Sequence, residues 1–400
     1  MSNAIHVGYD YDVVVIGGGV VGLTAAIGMR LRNYSVLVID AAALSPDLAH
    51  IDTRVYAINA ASEQLLRDLG VWQGLDSSRV APYQHMHIWE AGSGAAIDFD
   101  ARMIKGNRLG YILEESVLKQ ALLARAAAVG VVCESQQTVH AIVPEASQVT
   151  ISCGQRQWIA RLLIVADGAN SSNRERLGVS MTSWPYHQHA LVTHVATEKA
   201  HKATAYQVFH ADGPLALLPL NKPNQCSIVW STMPARVEHL MRCTDPAFNQ
   251  EVTKASGSIL GELSIMTSRH HFPLFMRHAQ QYYGSRWLLM GDAAHTIHPL
   301  AGLGLNLGLE DVASWLSLIK MSQSPPWSSK NLAAYQRQRK YAVWKIILLM
   351  EGLKTIFSNP IPLLGFVRKV GLNFCNQQLL LKKLMIQQAS GIVGTVGEEQ

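Results

Sequence analysis

The chain has 400 residues, 48% of them hydrophobic, which is enough to bury a large core in two domains or in one elaborate domain. Its 34 Lys and Arg against 29 Asp and Glu give a net charge of only +5, without a dense basic run. Such a balance argues against nucleic acid as a partner. The five cysteines form no C-x-x-C pair, which predicts reduced thiols, no disulfide framework and no metal site.

The N-terminus carries no recognisable targeting segment. The first ten residues, MSNAIHVGYD, lack the charged start and the apolar stretch of a signal peptide. No later window approaches the roughly 18 uninterrupted apolar residues of a membrane span. We therefore expect a cytoplasmic protein without a transmembrane helix.

The first element in chain order is a predicted βαβ unit. Residues 12–17 (DVVVIG) form a short β-branched run ending in glycine, which is typical of a buried parallel strand. Residues 20–32 contain helix formers, and residues 35–40 (SVLVID) predict the next buried strand.

The turn of this unit has the spacing of a dinucleotide site. Gly17, Gly19 and Gly22 form G-x-G-x-x-G between the predicted strand and helix, and Asp40 ends the second strand. The glycines permit the turn, the approach of a pyrophosphate to backbone amides and close helix packing, while the acid can bind ribose hydroxyls. This fingerprint alone does not distinguish NAD from FAD.

The middle of the chain predicts a second domain. Residues 83–100 and 186–232 alternate apolar and polar side chains in the manner of antiparallel strands. The predicted fold class is α/β: a Rossmann-like domain of parallel sheet and helices, an inserted sheet-rich substrate domain and a helical C-terminus. The predicted boundaries are 1–82, 101–180 and 277–330 for the nucleotide domain, 83–100 and 181–276 for the substrate domain, and 331–400 for the C-terminal helical region.

A second glycine and acid motif follows a predicted buried strand. The segment Leu162 to Asn170 (LLIVADGAN) predicts a buried strand that ends in Asp167-Gly, and Ser171 and Arg174 complete the pattern D-G-x-x-S-x-x-R. Asp-Gly is also a common turn dipeptide, so a simple strand-ending turn is the alternative interpretation.

A third motif begins after the predicted strand at residues 286–290. It reads Gly291-Asp-Ala-Ala-His295, His298-Pro299, then Gly302-Leu-Gly-Leu-Asn-Leu-Gly308 and Asp311. An acid just beyond a strand can hold a ribityl hydroxyl, and glycines at a helix start expose amides to an electron-rich ring or a phosphate.

These three motifs, in this order, resemble the class A flavoprotein aromatic hydroxylases. Arg54-Val-Tyr-Ala-Ile-Asn-Ala-Ala-Ser62 and Leu69-Gly-Val-Trp72 are similar to the ubiquinone-biosynthesis hydroxylases within that class. The middle segments Gln207-Val-Phe-His210, Leu218-Pro-Leu220 and Cys226-Ser-Ile-Val-Trp-Ser231 look most like the VisC-type 2-polyprenylphenol hydroxylase branch. That branch usually has Gly-Gln-Gly where this chain has Gly302-Leu303-Gly304, so a polar side chain near the flavin ring is missing.

The resemblance implies FAD as cofactor and assigns residues to it. The ADP half would contact Gly17, Gly19, Gly22 and Asp40, and the pyrophosphate and ribityl region would contact Arg54 and Gln120. Asp292 would bind the ribityl chain, and Asp167 is a further cofactor-binding candidate. The isoalloxazine ring would be lined by Pro299, Gly302, Gly304, Leu305 and Asn306. For Arg54 a structural salt bridge is the alternative. Gln120 lies in an ordinary amphipathic helix predicted over 115–127.

The resemblance also implies the reaction. NAD(P)H reduces the flavin, dioxygen forms a flavin C4a-hydroperoxide, and one oxygen atom enters the ring of a polyprenylphenol on the way to ubiquinone. The cofactor carries the chemistry, so His298, Pro299 and Leu303 are only candidate catalytic residues. His295 and His298 could transfer protons or could fix the loop.

The C-terminal third carries a basic excess. Residues 337–383 contain nine Lys and Arg against Glu351 alone, interleaved with apolar residues. This pattern predicts either contact with anionic lipid, peripheral to the inner membrane and suited to a polyprenylated substrate, or packing on the protein itself or on a subunit of a homo-oligomer. A lipid carrier or other ubiquinone-biosynthesis proteins are further candidate partners.

Two other functions fit parts of the sequence. A flavin dehydrogenase or oxidase would share the N-terminal fingerprint but would leave the pattern from Gly291 to Gly308 unexplained. A non-enzymatic subunit of a lipid-handling assembly that keeps FAD for its structure is supported only by Leu303 in place of glutamine. Consumption of NAD(P)H with and without a phenol distinguishes the three.

Overall fold

A computed structural model describes residues 8–104, 107–297, 303–358, 376 and 378–391. The strands are β1 Tyr11–Ile16, β2 Val36–Ile39, β3 Val55–Ile58, β4 Val80–Tyr83, β5 His85–Glu90, β6 Ala96–Asp100, β7 Gly110–Glu114, β8 Val132–Glu134, β9 Ala141–Pro144, β10 Val149–Cys153, β11 Arg156–Val165, β12 Met181–Thr197, β13 Thr204–His210, β14 Gly213–Pro219, β15 Gln225–Thr232, β16 Leu263–Ile265, β17 His270–Ala279, β18 Tyr283–Gly284, β19 Trp287–Leu289 and β20 His295–Thr296. The helices are α1 Val20–Arg30, α2 Ala60–Asp68, α3 Glu115–Val129, α4 Ser172–Arg176, α5 Pro234–Arg242, α6 Asp245–Ala255, α7 Leu303–Met321, α8 Ser329–Ser358 and α9 Leu379–Ala389.

The first sheet is built around β1 at its centre. Its order is β18-β19-β11-β1-β2-β8, with β9 and β10 as an antiparallel extension of β11. Strand β1 pairs in parallel with both β11 and β2. Val13, Val14 and Val15 are fully buried, as expected for a β-branched run covered on both faces. The α/β fold class and the N-terminal βαβ unit are confirmed.

The second sheet follows the order β20-β17-β12-β15-β14-β13-β5-β6 and is antiparallel except for the parallel pair β13 and β5. One face packs on α5 and α6, where Trp230 and Phe248 are fully buried. Its other face packs partly on α8, through Met276 and Val343, and partly on the third sheet, β3-β7-β4. Because β17 continues to Ala279 and β20 pairs with it, this sheet extends past the predicted boundary at residue 276.

Helix α8 buries one stripe of its surface. Leu332, Tyr335, Arg339, Val343 and Ile347 recur every three to four residues and are each at most 2% exposed. Within the described residues, no helix is both long and apolar enough to cross a bilayer. The predicted break at 359–362 lies outside the described residues.

The structure divides the basic residues of the C-terminal region between buried and exposed positions. Arg339 and Lys382 are buried, and Lys340 is half-buried and donates to the Gln280 carbonyl oxygen. Arg337 and Lys345 are exposed, while Arg368 and Lys369 lie outside the described residues. Arg339 therefore follows the alternative of packing on the protein itself, because its charge is neutralised by acids on α7, which the local sequence of α8 does not reveal.

Candidate active site

The carboxyl ends of the parallel strands bring the predicted cofactor residues together. Gly17 follows β1, Asp40 follows β2, Asp167 lies two residues beyond β11, and Asp292 follows β19. Since β2, β1, β11 and β19 are neighbours in one parallel array, these residues share one edge of the sheet. Ligands of open α/β sheets bind at this edge.

The glycine turn between β1 and α1 leaves room for a ligand on one side only. Gly17 has φ of 109°, and a Cβ on Gly22 would lie 1.9 Å from the Gly17 carbonyl oxygen. A Cβ on Gly19 would meet no protein atom within 4 Å. Gly19 is also the N-cap of α1 and provides no side-chain cap, so the amides at the helix start are available to a phosphate.

Asp40 is held by the backbone near this turn. Its Oδ2 accepts from the Gly18 amide at 2.5 Å, and its Oδ1 accepts from the Ala42 amide at 2.7 Å. A carboxylate has about four lone-pair sites, so capacity remains for a ribose hydroxyl.

Asp167 has an oxygen available for a ligand. Its Oδ2 accepts from Asn173 Nδ2 at 2.8 Å, while its Oδ1 is buried and has no hydrogen-bond partner among the described residues. Buried polar atoms are normally paired, so an orphaned carboxylate oxygen indicates a missing partner. The sequence analysis did not identify Asn173, although it lies inside the D-G-x-x-S-x-x-R motif.

Arg174 joins the second motif to the third. Its buried Nη1 donates to the carbonyl oxygens of Ala169 at 3.3 Å and Ala293 at 3.2 Å. The amide of Arg174 donates to Ser171 Oγ at 2.9 Å, which caps α4. These contacts show that the D-G motif does more than end a strand, because it fixes the position of the segment that carries Asp292.

Arg54 and Asp292 share one electrostatic environment. Burial raises the pKa of the Asp292 carboxyl above its usual value, and the charges of His295 and Arg54 oppose that rise. Arg54 Nε lies 2.9 Å from Glu115 Oε2, so the salt bridge weighed as an alternative is present. Contact of Arg54 with a pyrophosphate remains a prediction. Gln120 is exposed on α3, and its predicted role likewise remains a prediction.

The start of α7 is fixed by Asn306. Its Nδ2 donates to the Ala57 carbonyl oxygen at 2.6 Å, and its Oδ1 accepts from the Asn59 amide at 3.1 Å. Gly304 and Leu305 in the same turn are half-buried, and a Cβ on Gly304 would meet none of the described residues within 4 Å. With respect to the described residues, this turn therefore borders open space, and the resemblance puts the flavin ring here.

The structure describes only part of the loop before α7. His298, Pro299 and Gly302 lie outside the described residues, and Leu303 begins α7. His295 is buried and its Nε2 lies 2.7 Å from Asp311 Oδ2, which favours the loop-fixing role over proton transfer. The sequence analysis assigned Asp311 no role, although a fully buried acid indicates a specific partner.

A cavity of about 660 Å³ is lined in part by Glu115, the ion-pair partner of Arg54. It lies between the segment after β2, the start of α3 and the segment between β16 and β17. Its charged or titratable lining comprises Asp47, His50, Asp52, Glu115, Lys119 and His270. In the described part of the chain, no group of three or more His, Cys, Asp or Glu could hold a metal ion.

The residues present fit FAD. An uncapped helix start faces open space at Gly19, Asp40 retains acceptor capacity, and Asp167 has an unpaired buried oxygen. Each feature matches a part of a dinucleotide: a phosphate, a ribose and a hydroxyl donor.

Comparisons with known proteins agree with this geometry. The family described as FAD binding domain matches residues 10–349. The chain is 34% identical over 398 residues to 3-demethoxyubiquinol 3-hydroxylase of Escherichia coli (strain K12), covering 95% of this chain and 98% of that protein. It is 30% identical to the mitochondrial ubiquinone biosynthesis monooxygenase COQ6 of Xenopus tropicalis, and the match covers 95% of this chain and 93% of that protein.

A similar fold occurs in solved structures. The p-nitrophenol 4-monooxygenase PnpA from Pseudomonas putida DLL-E4 superposes with a TM-score of 0.79 at 17% identity, covering 96% of this chain and 99% of that one. At this identity the likeness concerns the fold alone.

Replacement of the two helix-start glycines should separate folding from cofactor binding. Gly22→Ala should lower the melting temperature of the flavin-free protein, because its Cβ would overlap the Gly17 carbonyl oxygen. Gly19→Ala should leave that temperature nearly unchanged but weaken FAD binding, because its Cβ would occupy the space open to a phosphate. Thermal melts and FAD titrations of both variants check this. Equal FAD affinities for Gly19→Ala and wild type would contradict it.

Asp292→Ala should weaken FAD binding by roughly tenfold or more, since loss of one hydrogen bond to a buried group costs about 1–3 kcal/mol. Fluorescence titration of the flavin-free protein measures this affinity. Asp245→Ala provides a control, because Asp245 is an exposed carboxylate on α6, away from the strand ends and from the cavity. An Asp292 variant that binds FAD as tightly as this control would exclude the assigned contact.

Proposed function

Since this chain belongs to the FAD-binding-domain family and, within it, to the ubiquinone-biosynthesis hydroxylases, we propose that it hydroxylates the ring of a polyprenylphenol intermediate of ubiquinone synthesis. It is an FAD-dependent monooxygenase, and we further propose NAD(P)H as reductant and dioxygen as the source of the inserted oxygen. The observation that supports the proposal most directly is the convergence of three glycine and acid motifs at one sheet edge, next to a second sheet suited to a substrate.

The relatives do not fix which ring position is hydroxylated. By their names, the Escherichia coli protein acts on 3-demethoxyubiquinol and the Xenopus tropicalis protein in ubiquinone biosynthesis. The similarity of residues 207–231 to the 2-polyprenylphenol branch therefore remains a prediction about this chain's substrate.

We place the substrate against the face of the antiparallel sheet that is opposite α5 and α6. Side chains alternate between the faces of a strand, and Val208, Ile228 and Trp230 pack on the helix side, so Gln207 and Ser227 point to the other side. Ser227 Oγ is buried and has no hydrogen-bond partner in the part of the chain that the structure describes. It is therefore suited to orient a hydroxyl group of a phenol.

The protein's role in the reaction is binding, orientation and exclusion of water. Bound flavin supplies the activation of dioxygen, which no amino-acid side chain provides. The strand-end residues hold the cofactor, and Asn306 fixes the first turn of α7 on the backbone at Ala57 and Asn59. Buried apolar residues between the second and third sheets, such as Ile112 and Ala205, keep water from the substrate ring.

We assign the reductant to the 660 Å³ cavity beside Arg54, whose volume is in the range of small-molecule sites. Lys119 in its wall can attract a phosphate, and Asp47 can accept from ribose hydroxyls. The Arg54–Glu115 pair lies between this cavity and Asp292, so a dinucleotide bound there would be adjacent to the flavin site.

The function is tested by NAD(P)H oxidation with the purified FAD-loaded protein. A short-chain 2-prenylphenol should raise the rate of NAD(P)H consumption at least tenfold and should gain one oxygen atom, derived from ¹⁸O₂ and visible by mass spectrometry. An oxidase would consume NAD(P)H at the same rate without the phenol and would release only hydrogen peroxide. A protein that keeps FAD for its structure alone would show neither. Either result would reject the proposal.

We also propose that α8 meets anionic lipid, which would suit a water-insoluble substrate. Its exposed face carries Tyr341, Trp344, Lys345, Leu348 and Leu349, here called the α8 stripe. Tyr341 and Leu348 are 68% and 67% exposed, which is unusual for side chains of this size. Aromatic, aliphatic and basic side chains on one helix face are typical of an interfacial helix.

The flotation of the protein with vesicles tests the α8 stripe. Wild type should float with phosphatidylglycerol-containing liposomes at low salt and much less at 0.5 M salt, since each Lys or Arg near an anionic surface contributes about 1 kcal/mol. Lys345→Glu with Leu348→Ser should abolish flotation. Lys330→Glu with Met321→Ser, which alters exposed residues elsewhere, is the matched control. If wild type does not float, or both double variants do, the α8 stripe is not a lipid-binding surface.

A further inference from the structure

Asp311 lies at the centre of a buried hydrogen-bond cluster. Its Oδ2 accepts from the Gly291 amide at 2.8 Å and lies 2.7 Å from His295 Nε2. Its Oδ1 accepts from Arg339 Nε at 2.6 Å. Asp311 is completely buried, and His295 and Arg339 are each 2% exposed.

The cluster contains a charged pair rather than a neutral hydrogen-bond network. Burial by itself would raise the pKa of Asp311, but attraction by His295 and Arg339 holds the pKa of this carboxyl below its usual value. Burial works in the opposite direction on Arg339, and attraction to Asp311 and Glu310 raises the pKa of the guanidinium. Both groups are therefore ionised, and a buried ion pair tolerates little change in its geometry.

All three nitrogens of the Arg339 guanidinium contact acceptors on α7. Besides Nε, Arg339 Nη2 donates to the Leu307 carbonyl oxygen at 3.2 Å, and Nη1 lies 3.1 Å from Glu310 Oε1. A lysine ammonium is a single point charge and cannot reach these separate acceptors at once. The contacts therefore fix the orientation of α7 relative to α8, in addition to neutralising Asp311.

Asp311 also joins the elements on either side of residues 298–302, part of the segment that the resemblance assigns to the flavin ring. Gly291 follows β19 and His295 lies in β20, on the N-terminal side of residues 298–302. Asp311 lies in α7, which begins on the C-terminal side at Leu303. Since α7 is a continuous helix, holding Asp311 in place also directs its first turn, where Asn306 is bonded to the Ala57 backbone at 2.6 Å.

We propose that Arg339 is a positioning residue for the flavin ring and acts through Asp311, so that the C-terminal helix α8 takes part in cofactor binding without touching the cofactor. The inference rests on the proposed use of FAD, and it adds a requirement that the three motifs do not contain. Arg339 lies 28 residues after Asp311, in a segment where the basic residues otherwise suggest a surface helix.

Arg339→Lys tests this role, with Arg337→Lys as the matched control on the exposed side of the same helix. For each flavin-free protein we would measure the melting temperature and the FAD affinity by fluorescence titration, and for each loaded protein the visible spectrum of the flavin. Arg339→Lys should raise the Kd for FAD roughly tenfold and shift the flavin absorption band, because the first turn of α7 is no longer held in place. Arg337→Lys should match wild type in all three measurements.

A merely structural role predicts a different result. In that case Arg339→Lys lowers the melting temperature, while its FAD affinity and spectrum equal those of Arg337→Lys, and the inference is overturned. If Arg339→Lys does not fold, Glu310→Gln replaces it, because Glu310 is 46% exposed and contacts only the outer end of the guanidinium. That variant should show a smaller rise in Kd, and an unchanged Kd would again overturn the inference. Failure of wild type itself to bind FAD would instead reject the proposed cofactor.

Discussion

The close approach of α1 to the end of β1 is the constraint on which the rest of the site depends. A Cβ on Gly22 would lie 1.9 Å from the Gly17 carbonyl oxygen, so any other residue would push the helix away from the sheet. This contact puts the start of α1, with its free amides, directly over the carboxyl ends of the strands. Asp40 and Asp167 lie on either side of β1 at that edge, because β2 and β11 are the two strands that pair with it. One backbone contact thus determines where a pyrophosphate can bind and which acids surround it.

The opposite end of the site is held by charge rather than by close packing. Asp311 brings together Gly291, His295 and Arg339, which come from three separate elements. A buried ion pair adds little stability compared with apolar residues of similar size, while loss of one partner costs about 3–5 kcal/mol. Its benefit is a defined geometry at the start of α7. The two ends are complementary: glycines leave space beside the start of α1, and a charged cluster fixes the position of α7.

The sequence predicted those features that depend on local pattern. The buried run at β1, the helix α1 and the glycine spacing between them are properties of neighbouring residues, and the structure confirms them. The helix predicted over 115–127 is likewise present as α3. The sequence was less informative where a residue's environment is decided by a distant partner: Arg339 looks like any basic residue of a surface helix until Asp311 is brought beside it. Asn173 was missed although its partner Asp167 is only six residues away, because the motif's spacing does not show that the turn folds back on itself. The salt bridge of Arg54 was considered, yet nothing in the local sequence names Glu115 as its partner.

The antiparallel second sheet is also joined to the segment that carries Arg54, at a point outside the three glycine and acid motifs. His194 belongs to β12, and its Nε2 is 2.9 Å from the Asp52 carbonyl oxygen. Burial lowers the pKa of the His194 imidazole. The amide of Asp52 donates to Glu114 at 2.7 Å, and its carboxylate accepts from the amides of Arg54 at 2.9 Å and Ser116 at 3.1 Å. The segment that carries Arg54 is therefore bonded to the antiparallel sheet on one side and to the start of α3 on the other. A neutral His194 makes this contact without adding a charge. Because the contact comes from β12, the position of Arg54 depends on the second sheet as well as on α3. A shift of the substrate sheet would move the arginine that lies beside Asp292.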